Sequence, residues 1–543
     1  MASNGLLLFT STRCVLSSSR VKYNLQNAAN RLVAGVLYVY QWLPSHSGVP
    51  SSAGGGVQVE DVATQISRCS LVASRVYCQA QHHCPRLDVR CLYQKSLENG
   101  SIRPSVPIDL VMVERNTGEE NTITQNVVRN FVSQNFRVSN PDFEIEFVNS
   151  EREATPLEDG QNPSTEVPLV PFSRLFNKVV LGGTFDRMHN AHKILLTESA
   201  IRCHKEVIVG VTDDNMVKKK TLYELIETCE KRQERVSTFL QDLAPHINSR
   251  VVPISDPFGP TIVEKELDLL VVSAETIAGG EKINQIRKEK DMQQLEVHAI
   301  SVYADPKKMN DMEEDKISSS SQRIRMLGDR LKPPLKSPSL PYIIGLTGGT
   351  CCGKTSISAF LERHGVRSIN CDMLGHDAYK EGTKCFQQVI QTFGQDVLCP
   401  SGNTINRKVL ARKVFSSSTE LAKLNSIVWP EIKRLILEGI EYHTKQGAKA
   451  IILDAAILLE ANWDNLCHDI WVTIIPKEEA IKRVQSRDKV SQEDAERRVG
   501  SQVSNHERAK RATFLFSTLW EEEFTRSQIL KAWGNIESTI KKL

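Results

Sequence analysis

A strand that runs straight into a glycine-rich loop and then a helix sets the strongest limit on this chain. Tyr342-Ile343-Ile344-Gly345-Leu346-Thr347 feeds Gly348-Gly349-Thr350-Cys351-Cys352-Gly353-Lys354-Thr355, and a helical stretch follows from Ser356 to His364. The loop satisfies G-x-x-x-x-G-K-[ST] in the context that pattern requires, so its backbone N–H groups are expected to cradle the β-phosphate of ATP. Lys354 then spans the β- and γ-oxygens, and Thr355 offers its hydroxyl to Mg²⁺. A dinucleotide-binding G-x-G-x-x-G reading fails on spacing. The fold implied is a doubly wound α/β domain with a parallel sheet.

A second strand-to-glycine transition lies upstream. Lys178 to Gly183 leads into Thr184-Phe185-Asp186-Arg187-Met188-His189-Asn190-Ala191-His192-Lys193. Gly182 and Gly183 permit close backbone approach to an anion, and Thr184 adds a hydroxyl. With a helix opening near His189, His189 and His192 are at i and i+3, on one side of the positive helix end. That arrangement handles phosphate, although two histidines at this spacing also fit plain capping and packing. Strands are expected at Val179 to Leu181, Val207 to Val211 and Leu269 to Ser273, with helices at Ala191 to Ala200 and Leu222 to Leu243. This makes a second doubly wound parallel sheet.

The loop GTFDRMHNAH resembles the signature of the nucleotidylyltransferase superfamily. Lys316-Ile317-Ser318-Ser319-Ser320-Ser321-Gln322-Arg323 resembles that superfamily's second signature, a serine-rich helix start followed by a basic residue. The resemblance implies that His192 supports the transferred phosphate, that Ser318, Ser319 and Ser320 hold the terminal phosphates, and that Arg323 holds the outgoing pyrophosphate. A substrate lysine is implied at Lys220 or at its neighbours Lys218 and Lys219, with the sequence leaving the choice among the three open; a solvated charge run is the other reading of the three. Val272 to Thr276, with Asn284 and Arg287, resembles a motif of the phosphopantetheine-specific branch and so implies 4′-phosphopantetheine as acceptor. The pair Asn190-Ala191 departs from the Xaa-Gly of many members.

From Tyr342 nearly to the end, the chain resembles dephospho-coenzyme A kinase. The residues that carry the likeness include Ile369-Asn370-Cys371-Asp372, Ile405-Asn406-Arg407, Leu453-Asp454-Ala455 and Arg487-Asp488. The resemblance implies that Asp372 accepts the proton of a ribose 3′-hydroxyl and that Arg407 lines the acceptor pocket. It also implies that Arg487 belongs to a closing segment, Lys482 to Gln502, that neutralises the transferred group. Trp429-Pro430 replaces a common His-Pro, and Ser517-Thr518-Leu519-Trp520 lacks the asparagine of the adenine-binding segment.

The whole chain has 543 residues, enough for three or four domains. Expected boundaries are a targeting-like or disordered segment 1–59, a module of unassigned role 60–150 and a linker 151–172. An adenylyltransferase-like domain 173–330, a proline-rich spacer 331–341 and a kinase-like domain 342–543 follow. No internal repeat is visible in the sequence. Residues 1–59 hold no Asp or Glu, a profile that suits mitochondrial targeting or association with that organelle's surface, and otherwise cytoplasm. The apolar run Leu32 to Leu43 is too short to span a bilayer. A net charge of +3 gives no bulk attraction for nucleic acid. Thirteen cysteines, an odd number with Cys351 and Cys352 adjacent, read as reduced thiols. Cys78, His82, His83, Cys84 and Cys91 lack the second half of a zinc motif.

Together the resemblances imply two successive transferase steps with ATP as co-substrate and Mg²⁺ at both: adenylyl transfer to 4′-phosphopantetheine, then phosphorylation of dephospho-coenzyme A. The alternatives are a non-catalytic nucleotide-binding scaffold and a kinase joined to a nucleotidylyltransferase with another acceptor.

Overall fold

The computed structural model describes residues 4–10, 18–32, 34–41, 62–84, 86–93, 104–116, 123–150, 175–399, 404–415 and 417–543. The expected linker 151–172 lies outside the described residues. The chain divides into two compact units, Met1–Gln322 and Arg323–Leu543.

The described residues of the first unit form two five-stranded, all-parallel sheets. The first comprises β1 (Gly5–Phe9), β2 (Gly35–Gln41), β3 (Leu87–Leu92), β4 (Leu110–Asn116) and β5 (Glu144–Ser150), in the order β3-β2-β1-β4-β5. Residues expected to form a tail or targeting segment therefore supply the central strand and its neighbour. Freedom from acidic residues is a statement about charge, and Leu6, Leu7, Leu8, Leu37 and Tyr38 are completely buried. Short runs of Leu, Val and Tyr with both faces covered are what a parallel sheet demands.

The second sheet comprises β6 (Phe176–Gly183), β7 (Cys203–Thr212), β8 (Asn248–Ile254), β9 (Leu269–Ser273) and β10 (Glu296–Ile300), ordered β10-β9-β6-β7-β8. Counted within each module, the two orders are 3-2-1-4-5 and 5-4-1-2-3, the same plan read from opposite edges. A repeat invisible in the residues is thus present in the topology. The expected helix from Leu222 begins only at Cys229, because Leu222 itself sits in the left-handed region (φ 51°) ahead of a short turn, Tyr223–Leu225. The edge strands β8 and β10, half-buried and rich in polar residues, gave no clear periodicity.

The second unit has one parallel sheet, β12-β13-β11-β14-β15, from β11 (Tyr342–Gly348), β12 (Arg367–Asn370), β13 (Ala450–Asp454), β14 (Asp469–Ile474) and β15 (Phe514–Ser517). Every residue of β11, β13 and β14 is buried. The carboxylate of Asp469 is matched there by the two terminal guanidinium nitrogens of Arg330 at 2.8 and 3.0 Å and by the Tyr342 hydroxyl at 2.7 Å. The proline-rich stretch is no free spacer. Leu331 N–H donates to Thr513 O and Leu335 N–H to His468 O, each at 2.8 Å, so the segment is fastened along this unit.

Candidate active sites

Both expected chemistries sit where central strands end, at the carboxyl edge at which parallel sheets bind ligands. In the first unit β6 opens into a loop in which Phe185 (φ 52°) and Arg187 (φ 47°) are left-handed without being glycine. Such strain persists only where the surroundings enforce it. Arg232, fully buried, does so: its guanidinium donates to Thr184 O and Thr212 O, each at 2.8 Å, and to Glu227 O at 2.7 Å. The Glu227 N–H in turn donates to Asp186 Oδ1 at 3.1 Å. Gly183 is needed for close approach, since a Cβ there would stand 3.0 Å from the Phe185 ring. Gly182 has no such neighbour.

His189 caps the helix Asn190–Ile201, accepting the His192 N–H at its Nδ1 (3.4 Å), while the His189 N–H points at His192 Nδ1 (3.5 Å). The rings stack at 3.7 Å. With Nδ1 accepting, the His192 proton sits on Nε2, which is then a neutral hydrogen-bond donor. Burial, reinforced by the positive field of Lys220, pushes the His192 pKa down from 6.5 to about 3. That field distinguishes Lys220 from Lys218, whose ammonium is taken by Asn215 Oδ1 at 2.9 Å.

The serine-rich signature opens the helix Ser319–Arg325. Ser319 Oγ donates to Asp186 O at 2.9 Å, bringing the two motifs together across more than a hundred residues. Ser318 is spent differently: its hydroxyl caps the helix, accepting Ser321 N–H at 3.1 Å. Ser320 shares this first turn, and Arg323 is buried one turn on.

Asn284 and Arg287 are engaged by backbone groups. Asn284 pairs with both backbone groups of Leu295, at 2.8 and 2.9 Å. Arg287 is fully buried, its donors taken by the carbonyls of Thr261, Glu264, Lys265 and Gln293, and burial lowers its pKa. Arg287 is a structural clamp, a correction to its expected role in binding substrate, and Asn284 is held to the Leu295 backbone.

In the second unit the loop between β11 and the helix Lys354–Glu362 has the shape its sequence requires. A Cβ on Gly348 would stand 2.4 Å from Thr473 O and 2.6 Å from Cys352 Sγ. Gly353 is left-handed (φ 84°), as is Cys351 (φ 56°). Lys354 Nζ lies 3.2 and 3.4 Å from the Gly348 and Gly349 carbonyls, and Thr355 is exposed. Thr350 N–H donates to Gln502 Oε1 at 2.9 Å. Thr518 Oγ1 donates to Cys352 O at 3.0 Å and accepts from Arg483, tying the C-terminal end of β15 to the loop.

Asp372, exposed in the first turn of the helix Cys371–Asp377, accepts the Ala456 N–H at 3.2 Å. Beside it, Asp454 ends β13 with a pKa raised to about 6 by burial against the pull of Lys354, with Asp372 and Glu362 adding to the rise. Its Oδ1 is buried with no hydrogen-bond partner. The sequence assigns Asp454 no role; its position at a strand end, in register with Asn370 just ahead of Asp372, is the available signal. Arg508, almost wholly buried, approaches the space above Gly349, and no sequence pattern marked it. Arg407 is exposed, its guanidinium 6.0 Å from the Tyr379 ring. Arg487 is exposed and turned onto its neighbour Asp488 at 2.7 Å, while the closing segment is two helices, Lys477–Asp488 and Gln492–Gly500, broken at left-handed Lys489. Among the described residues every cysteine is unbridged, no cluster could hold a metal through three or more His, Cys, Asp or Glu, and no helix is long and apolar enough to cross a membrane.

Residues 342–518 match the dephospho-CoA kinase family model, and residues 180–326 match the cytidylyltransferase-like model. A dephospho-CoA kinase of Carboxydothermus hydrogenoformans is 37% identical over 188 residues, which is 35% of this chain and 91% of that protein. This chain belongs to the dephospho-CoA kinase family. The kinase of Symbiobacterium thermophilum is 33% identical over 191 residues, 35% of this chain and 80% of that one. The solved structure of a Campylobacter jejuni dephospho-CoA kinase superposes with a TM-score of 0.30 at 26% identity, over 36% of this chain and 98% of that one. A dephospho-CoA kinase domain preceded by a cytidylyltransferase-like domain in one chain supports a bifunctional coenzyme A synthase.

Proposed function

We propose that this chain catalyses the last two steps of coenzyme A formation. At the first site the phosphate of 4′-phosphopantetheine attacks the α-phosphorus of ATP; a P–O bond forms to the acceptor, the α–β bridge breaks, and pyrophosphate leaves with its electron pair. The nucleophile is already ionised, so the site needs placement and charge stabilisation rather than a base. The neutral His192 Nε2–H donates to the α-phosphoryl oxygens, Lys220 supplies positive charge, and the Ser319–Arg325 helix start, with Arg323, receives the outgoing pyrophosphate. The observation that carries this reading is the Ser319–Asp186 bond, which joins the His loop to the serine helix.

At the second site Asp372 takes the proton of the ribose 3′-hydroxyl of dephospho-coenzyme A as that oxygen attacks the γ-phosphorus of a second ATP; ADP leaves, steadied by Lys354. Arg407 and Arg487 close on the acceptor and the transferred group. The residues present fit Mg²⁺: Thr355 offers an exposed hydroxyl, and Asp454 a carboxylate oxygen without a partner. When bound, the ion neutralises charge on the phosphate oxygens. Incubating the purified chain with ATP, Mg²⁺ and 4′-phosphopantetheine and weighing the products tests both steps. Dephospho-coenzyme A and coenzyme A are expected; neither would leave the scaffold reading, and phosphorylation of supplied dephospho-coenzyme A without its synthesis would point to another acceptor at the first site.

A further inference from the structure

The helix that carries the two histidines is buried on nearly every side. Lys193, Ile194 and all of Leu196 to Ile201 are buried, whereas a helix flanking a sheet ordinarily turns a polar face to water. What covers it is the first module. Asn190 Nδ2 donates to Tyr77 O at 2.9 Å and to Gln81 Oε1 at 3.2 Å, both on the helix Val62–His83. Lys193 Nζ, 4% exposed, donates to Asp88 Oδ1 at 2.5 Å and Val89 O at 3.0 Å on β3. Further along, Ser70 Oγ donates to Glu198 at 2.5 Å. Asp88 also binds Arg90, which pairs with buried Asp242, so the network returns to the nucleotidylyltransferase-like module.

Asn190 lies between the two histidines, and Lys193 directly follows the second. Residues 190 and 193 are one turn apart, on the face adjoining that of 189 and 192. Rotating this first turn enough to satisfy a different set of partners would carry both imidazoles with it. We propose that the first module is a working part of the adenylyl-transfer site, with Asn190 and Lys193 as positioning residues that fix the aim of His189 and His192. The inference rests on the adenylyl-transfer reading above and extends it to residues 62–93.

The full chain carrying Asn190→Ala, Lys193→Met or Lys193→Arg is assayed for adenylyl transfer, with phosphorylation of supplied dephospho-coenzyme A as the internal control. Asn190→Ala and Lys193→Met are expected to lower kcat for adenylyl transfer roughly 10- to 50-fold, the scale of misplacing a group without removing it, with KM for ATP within twofold and the kinase step unchanged. Lys193→Arg, which keeps the cation, recovers kcat to within about threefold of wild type. Should Lys193→Met fail to fold, Asn190→Ala decides alone. Wild-type kcat in folded Asn190→Ala, or parallel losses in both reactions, overturns the inference. A wild-type chain that makes no dephospho-coenzyme A overturns the functional reading instead.

Discussion

Replacing His192 by Ala tests the charge state of the first site as well as its chemistry. The structure makes this imidazole a neutral donor, with a pKa near 3, so its contribution is one hydrogen bond to the α-phosphoryl group as negative charge builds there. Removal of one such donor costs about 3–4 kcal/mol of transition-state stabilisation, a fall of roughly 10²- to 10³-fold in kcat. The sign with pH follows from the same shift. The folded pKa is depressed below 6.5, so the unfolded chain binds the extra proton, and the stability of the first unit falls as pH drops from about 6.5 toward 3. The depression caps that linked loss at about 5 kcal/mol, and solvent reaching a half-buried ring brings the expected figure nearer 2. Adenylyl-transfer rates of wild type and His192→Ala between pH 5 and 8 should therefore differ in height and agree in shape. An inflection between pH 6 and 7 that disappears in the variant would show a charged imidazole at work and refute the assignment, as would a kcat within threefold of wild type.

Asp372→Ala should stop the pathway at dephospho-coenzyme A with the first step intact, read by mass; continued coenzyme A formation would remove Asp372 from its role. Arg287→Met should lower the stability of the first unit by about 3 kcal/mol, because the carbonyls of Thr261, Glu264, Lys265 and Gln293 lose a fully buried donor, and leave KM for 4′-phosphopantetheine within twofold. A large KM change at unchanged stability would restore Arg287 to the substrate pocket. Gly328→Ala should destabilise the second unit by roughly 3 kcal/mol or more in a thermal melt: φ is +76°, and the new Cβ would stand 2.3 Å from the Gln528 carbonyl oxygen, which no rotamer can relieve.

The phosphate loops were legible because their chemistry dictates backbone shape: a Gly348 that must slip past Thr473 O and a left-handed Gly353 leave a fixed spacing in the chain. The central strands were legible for a similar reason, since burial on both faces forces continuous Val, Ile and Leu. What escaped were residues whose meaning depends on distant partners. Arg287 and Asn284 look like ligand-binding groups until the carbonyls they satisfy come into view, and Arg232 and Arg508 look like ordinary helix cations although both are buried. In Gly5–Phe9 and Gly35–Gln41 the short apolar runs form strands that the charge of the surrounding sequence does not signal. Equal topology in the first two sheets leaves no common residues to compare, because a strand order is set by connection and burial.

That equality bears on how the chain reaches its native form. Ten strands, two sets of five, answer to one plan, and a denatured chain must sort them from a common pool, inviting hybrid sheets that bury apolar surface almost as well. Emergence from the ribosome settles the matter by timing, for Ser150 closes the first set before Phe176 opens the second. Refolding from urea should accordingly return less active material than biosynthesis does.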